Sequence, residues 1–204
     1  RVHGGAVVEE GDQPFAEVAE VRVSEKDAIA ERAAAMVADG QSVLLDIGTT
    51  AFRLARRLHG RRLTVITSNL VVYEELADDE GIELVLLGGM LRREYRSLVG
   101  FLTEDNLRQL HADWLFLGTS GVRPGGQVMD TTVVEVPVKR AMIKASDKVV
   151  LLADAAKFPG TGMAKVCGPE DLDMVVTNAP VDTATRASFE EARVEVVVAG
   201  KVQD

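Results

Sequence analysis

One cysteine, one tryptophan, two tyrosines and three histidines are all that 204 residues carry of these types. A lone Cys167 closes no disulfide and builds no cysteine zinc cluster, so the chain reads as a protein of the reducing cytoplasm, with Cys167 a small buried hydrophobe. His3, His59 and His111 stand far apart at no ligand spacing, and Asp171 with Asp173 reads as polar punctuation before a strand; no metal is expected. No charge-free apolar run reaches the ~18–20 residues that a bilayer span needs, so no membrane partner is expected. The start Arg1-Val2-His3-Gly4-Gly5 lacks a signal-peptide layout, and without an initiator Met the natural protein is expected to begin upstream. Also missing are Gly-x-Gly-x-x-Gly after the first strand, Gly-x-x-x-x-Gly-Lys and Gly-x-Ser-x-Gly. Dinucleotide, nucleoside-triphosphate and serine-nucleophile sites therefore have no support, and no cofactor is expected. Basic charge is scarce: 23 Lys+Arg face 32 Asp+Glu, a net −9 that excludes a nucleic-acid-coating surface.

What is present is an ordinary globular composition, 47% hydrophobic and 27% charged. The length suits one large domain, alone or with a small appendage. Short apolar runs alternate with helical stretches. Ser24 and Asp27 suggest a capped helix that carries Ile29, Ala33 and Val37 at helical spacing and stops at Gly40. Val43–Leu45, Leu63–Ile66, Ile82–Leu87, Trp114–Leu117, Val149–Leu152, Val175–Val176 and Val194–Val198 read as strands. Helices are predicted over Ala51–Leu58, from Asn69 to Ala77, over Gly100–Leu110 and Lys139–Ala145 with Pro137 in the first turn, and near Ala184–Glu191. Asp12–Arg22 and Met90–Leu98 are the least regular segments. Strands alternating with helices and apolar almost throughout predict an α/β fold, a mostly parallel sheet with helices on both faces.

In such sheets ligands bind beyond the carboxyl ends of the strands, and that is where the polar punctuation falls. The segments are Asp46–Thr50, Thr67–Asn69, Gly88–Gly89, Gly118–Gly121 and Asp154–Lys157. Gly and Thr turns that lead into helices offer free amides, hydroxyls and a positive dipole end, which suit a phosphate or carboxylate. On a chain of net −9 the attraction must be local, which singles out Lys157. Each residue also has a plainer reading. Thr49 or Thr50 caps a helix, Gly88-Gly89 makes a turn, Lys157 is a solvated lysine, and Glu135 is an acid at a helix start. Arg92 and Tyr95 either cover the site as a lid or pack their loop.

Taken in order, His3-Gly4-Gly5-Ala6, Asp46-Ile47-Gly48-Thr49-Thr50, Thr67-Ser68-Asn69, Leu87-Gly88-Gly89, Val99-Gly100, Gly118-Thr119-Ser120-Gly121, Glu135-Val136-Pro137-Val138-Lys139-Arg140 and Asp154-Ala155-Ala156-Lys157-Phe158 resemble the sensor domain of DeoR-family bacterial transcription regulators. The resemblance covers essentially the whole chain. It implies a Rossmann-like fold related to ribose-5-phosphate isomerase and the CoA transferases. It implies a phosphorylated-sugar effector, and operator DNA bound only through an N-terminal winged helix-turn-helix. Residues 1–23 would then be the linker from that missing domain and 24–204 the sensor domain, in a homo-oligomer, dimer or tetramer. By the same resemblance Asp46, Gly48, Thr49, Thr50, Ser68, Asn69, Gly88, Gly118, Glu135, Lys139 and Lys157 line the effector pocket. Lys157 and the Gly-Thr-Thr turn would lie near the phosphate, with Asp130 bonding sugar hydroxyls.

The leading expectation is a ligand-gated sensor without catalytic residues, whose effector shifts the state of attached DNA-binding domains. A sugar-phosphate isomerase of the related fold is the alternative, with Glu135 or Asp130 moving the proton and Lys157 stabilising the enediolate. A dimerisation module with a vestigial pocket would need no rim of hydroxyls and lysine.

Overall fold

A computed structural model describes residues 15–200. The junction Arg1–Ala6, with the rest of the first fourteen residues of the expected linker, lies outside them. The elements begin with α1 (Phe15–Ala19), α2 (Val23–Ala34), β1 (Ser42–Leu45), α3 (Thr49–Arg56), β2 (Leu63–Thr67), α4 (Leu70–Leu76) and β3 (Ile82–Leu86). A hairpin follows, β4 (Met90–Arg92) and β5 (Ser97–Val99), then α5 (Phe101–Leu107), β6 (Ala112–Leu117), β7 (Gly121–Arg123) and β8 (Gln127–Asp130). Next come α6 (Val136–Lys144), β9 (Ser146–Leu152), β10 (Ala164–Cys167), β11 (Met174–Thr177), α7 (Thr183–Glu191) and β12 (Glu195–Val198).

Seven strands make one parallel sheet in the order β3-β2-β1-β6-β9-β11-β12, so the α/β doubly wound architecture is present. Successive side chains on a strand point to opposite faces, and both faces here are apolar. Leu44, Leu115, Leu151 and Val175 face Leu107 of α5, Met142 of α6 and Phe189 of α7. Val43, Leu45, Phe116 and Val150 face Ile29 of α2, Leu54 of α3 and Val72 of α4. Burial of each such side chain stabilises by roughly 1.5–3 kcal/mol, and a one-residue slip would exchange the two faces, so the register is strongly specified. The chain lays β2 and β3 outward on one side of β1, then returns to place β6 on the other side. The loops after β1 and β6 therefore leave in opposite directions, which opens the crevice where such sheets take ligands.

Several local expectations change. Ser24 does not cap α2: its hydroxyl donates to Glu25 at 2.9 Å, and the cap position is Arg22 in a left-handed conformation (φ 53°) with no side-chain bond. That helix ends at Ala34, short of Gly40. Met90–Leu98, read as irregular, is largely the β4–β5 hairpin, and the stretch around Gly121–Asp130 folds with β10 into a three-stranded antiparallel sheet. Strands of only three or four residues carry too little periodicity to be read. Pro137 does sit in the first turn of α6, and Cys167 is buried, which pushes its thiol up to about 12. Asp173 accepts from the Val149 amide at 2.8 Å, as polar punctuation would.

One surface cluster makes stability depend on pH. His59 shares its ring nitrogens with Asp79 (2.9 Å) and Glu75 (3.1 Å), and its pKa is raised above 6.5, chiefly by the bonds to Glu75 and Asp79. A raised folded-state pKa means that this contribution is complete below about 6.5 and is lost as pH rises through the raised value. Urea unfolding from pH 5 to 9 is expected to show the stability gap between wild type and His59→Ala closing toward alkaline pH. A gap that does not change with pH would assign the cluster no titrating role.

Candidate functional site

Asp46 follows the last residue of β1. Its carboxylate accepts from the Gly118 amide beyond β6 at 2.8 Å and from Lys139 Nζ of α6, tying the two strand ends together. Lys139 also donates to Gly118 O (3.2 Å) and lies 3.6 Å from Asp130 Oδ2 at the end of β8. All three charged side chains are almost wholly buried. Burial works against the Lys139 ammonium, but Asp46 and Asp130 outweigh it and hold its pKa above the usual lysine range. Burial pushes the Asp46 carboxyl up against the pull of Lys139. Close approach demands glycine at 118, where a Cβ would stand 2.8 Å from Ile47 O.

Next along the chain, Gly48 takes φ 114°, a conformation open to glycine, and turns the backbone into α3. No side chain caps that helix. Its first residues, Thr49, Thr50 and Ala51, line a cavity of about 760 Å³ together with Gly48. Across it the turn Ala155–Lys157, capped by Asp154 (Oδ1 accepting from Ala156 N, 2.9 Å), presents Lys157.

The wall on this side comes from α1 and the start of α2, which supply Val18, Val21, Arg22 and Lys26. These include residues that the sequence reading placed in the linker. Phe15 packs edge-on against Phe52 and Tyr95, and Arg53 donates to Ala19 O at 2.9 Å while pairing with Asp27. Lys26 is 4% exposed, and its Nζ donates to Val18 O at 2.8 Å. Burial lowers its pKa to about 8 against the pull of Asp154, and Lys157, Arg53 and Arg22 add to the lowering. Arg22 reaches Asp154 at 3.8 Å. Lys26 and Arg22 are the functional candidates that sequence reasoning missed. A signal existed: Lys26 stands three and four residues before Ile29 and Ala30, on the apolar stripe of α2, where a lysine is out of place unless it has a purpose.

Of the expected site residues, Gly48, Thr49, Thr50, Gly118, Asp130, Lys139 and Lys157 line this one cavity, and Asp46 anchors it from beneath through Lys139 and Gly118. Four stand outside the lining. Asn69 caps α4, accepting from Val71 N at 2.9 Å, and Ser68 is fully buried. Ser68 Oγ and Asn69 Nδ2 are buried with no hydrogen-bond partner among the described residues. Gly88 bonds Asn106 and Thr103 on α5, a structural turn. Glu135 is buried, accepting from Ser97 Oγ (2.6 Å) and Arg92 Nη1 (2.9 Å); burial raises its pKa although both partners oppose this. Arg92 also donates to Thr132 Oγ1 (3.2 Å), and with Tyr95 it lines the cavity from the hairpin.

The profile of the DeoR C terminal sensor domain matches residues 21–179. The chain is 34% identical over 203 residues to the HTH-type transcriptional regulator GolR of Listeria innocua, covering 98% of this chain and 80% of that one. It is 32% identical over 183 residues to the glycerol-3-phosphate regulon repressor of Escherichia coli, covering 88% and 73%. Among solved structures, eIF2B beta from Chaetomium thermophilum superimposes with a TM-score of 0.55 at 16% identity, over 75% of this chain and 48% of that one, a likeness of fold.

Proposed function

Because the chain belongs to the DeoR C-terminal sensor-domain family, we propose that its cavity receives a phosphorylated sugar or sugar-derived metabolite whose binding controls attached DNA-reading domains. The observation that carries this reading is the cationic end of the cavity. There the uncapped start of α3 meets Lys157 and the buried Lys26, with Asp154 as the carboxylate beside them. A phosphate dianion accepts from amides and hydroxyls at a helix N-terminus and is held by the lysines. The polar end, with Ser120, Asp130, Thr131 and Thr132, suits hydroxyls. A repressor named for a glycerol-3-phosphate regulon stands among the relatives, consistent with a small phosphate ester.

Binding without turnover fits better than isomerisation. Of the two carboxylates that an isomerase could use, Glu135 is sequestered behind Ser97 and Arg92 and does not line the cavity, and Asp130, which does, is engaged by the Thr132 amide and lies beside Lys139. Operator sites tend to be palindromic and dimers match them, so the functional form is a homo-oligomer. Differential affinity for two states, about 1–3 kcal/mol, would change operator binding roughly 5–150-fold. A thermal-shift panel of phosphosugars tests the reading. At a hundredfold excess over Kd the correct ligand adds about 2.7 kcal/mol, a rise of roughly 5–11 °C for a domain of this size. No shift with any phosphate ester would leave a dimerisation module, and a coupled assay that forms ketose from aldose phosphate would reinstate the enzyme.

A further inference from the structure

The cavity is electrically polarised. At one end Arg22, Lys26 and Lys157 face Asp154, the one carboxylate there among the described residues. At the other end the cations are spent. Lys139 is shared by Asp46 and Asp130 and also bonds Gly118 O, while Arg92 is held by Glu135 and Thr132. Two carboxylates share one ammonium there, so among the described residues that end holds carboxylate in excess of cation. Asp130 lines it, with Oδ1 accepting from the Thr132 amide at 2.8 Å and from Ser120 Oγ at 3.4 Å.

We propose that the effector carries one anionic group and ends in neutral hydroxyls, and that Asp130 is the specificity-determining residue that rejects a second anion. This rests on the phosphosugar reading above. A phosphate seated on α3 and the lysines points the rest of the molecule toward Asp130. A hydroxyl there donates to the carboxylate. A second phosphate or a carboxylate would instead meet like charge in a buried site and find no uncommitted cation among the described residues there to offset it, a juxtaposition that selects by repulsion.

The test uses matched pairs on one skeleton. Fructose 1-phosphate and fructose 6-phosphate are compared with fructose 1,6-bisphosphate, and glucose 6-phosphate with 6-phosphogluconate, by calorimetric titration. The expected result is that the better-bound skeleton favours its monophosphate by at least about tenfold over its doubly anionic partner. Asp130→Asn retains the acceptor for the Thr132 amide and removes the charge, with an amide donor in place of Oδ2 beside Lys139, so it should shrink that preference by about tenfold or more. A doubly anionic ligand that binds as well as its partner to the wild-type protein overturns the inference and leaves the phosphosugar reading standing. So does an Asp130→Asn variant that folds and keeps the full preference. Should none of these compounds, nor inorganic phosphate, bind at all, the phosphosugar reading itself falls and takes this inference with it.

Discussion

Replacing Lys139 with methionine is expected to lower the unfolding free energy by about 3–5 kcal/mol, the usual consequence of leaving a buried charge without its partner. Lys139 is 2% exposed and is the cation that Asp46 and Asp130 share. Methionine fills much of the same volume, so the loss reports charge rather than a cavity. The native margin of a domain is only about 5–15 kcal/mol, which makes this the largest single-residue effect the site offers. In urea the midpoint should fall by roughly 1–5 M at an m-value of about 1–3 kcal/mol/M. Asp46→Asn placed in the Lys139→Met background should recover part of the loss, because it removes one stranded carboxylate. The two substitutions are therefore strongly non-additive. A loss below about 1 kcal/mol for Lys139→Met would show that the carboxylates find other partners, and the ion cluster would then not be what clamps the ends of β1 and β6.

The second large effect concerns affinity and its dependence on pH. Lys26→Met and Lys157→Met should each weaken the best phosphorylated ligand by about 1.5–3 kcal/mol, the range for a hydrogen bond to a charged group, or roughly 10–150-fold. The unphosphorylated sugar should lose little. Equal losses for both would remove these lysines from the phosphate. The pH profile separates them. With its pKa lowered to about 8 by burial, Lys26 loses its charge in the free protein earlier than an ordinary lysine. A bound phosphate raises that value, so affinity should be greatest between the second phosphate ionisation near 6 and about 8, and should fall as pH rises further. Stability of the free protein runs the opposite way. A lysine whose folded-state pKa lies below its unfolded 10.5 costs most below about 8, and the cost is relieved as pH climbs from 8 to 10.5. Titration calorimetry across this range checks the profile, with Lys26→Met expected to flatten its alkaline limb. An unchanged limb in that variant would assign the titration to another group.

The alternation of apolar strands and helices was legible in residues such as Val43–Leu45, Trp114–Leu117 and Val149–Leu152, because strands buried on both faces are hydrophobic whatever surrounds them. So was the Gly48-Thr49-Thr50 turn, since a glycine at a strand end followed by hydroxyls speaks through local backbone chemistry alone. Much of the site depends instead on distances between residues far apart in the chain. Lys139 stands 93 residues from Asp46, and only the packing of α6 against the sheet makes them a pair. Thr67-Ser68-Asn69 and Gly88 share the same kind of strand-end punctuation as the cavity residues but do not line the cavity; Asn69 caps a helix and Gly88 makes a turn. Lys26 shows the limit most plainly. Its place on the apolar stripe of α2 was open to reading, but the cavity it reaches exists only because the chain crosses from β3 to β6 on the far side of β1. Local propensity and periodicity set which segments become strands and helices. Where their ends meet, and hence which charges share a cleft, is decided by strand order, a property of the assembled sheet and of no short segment within it.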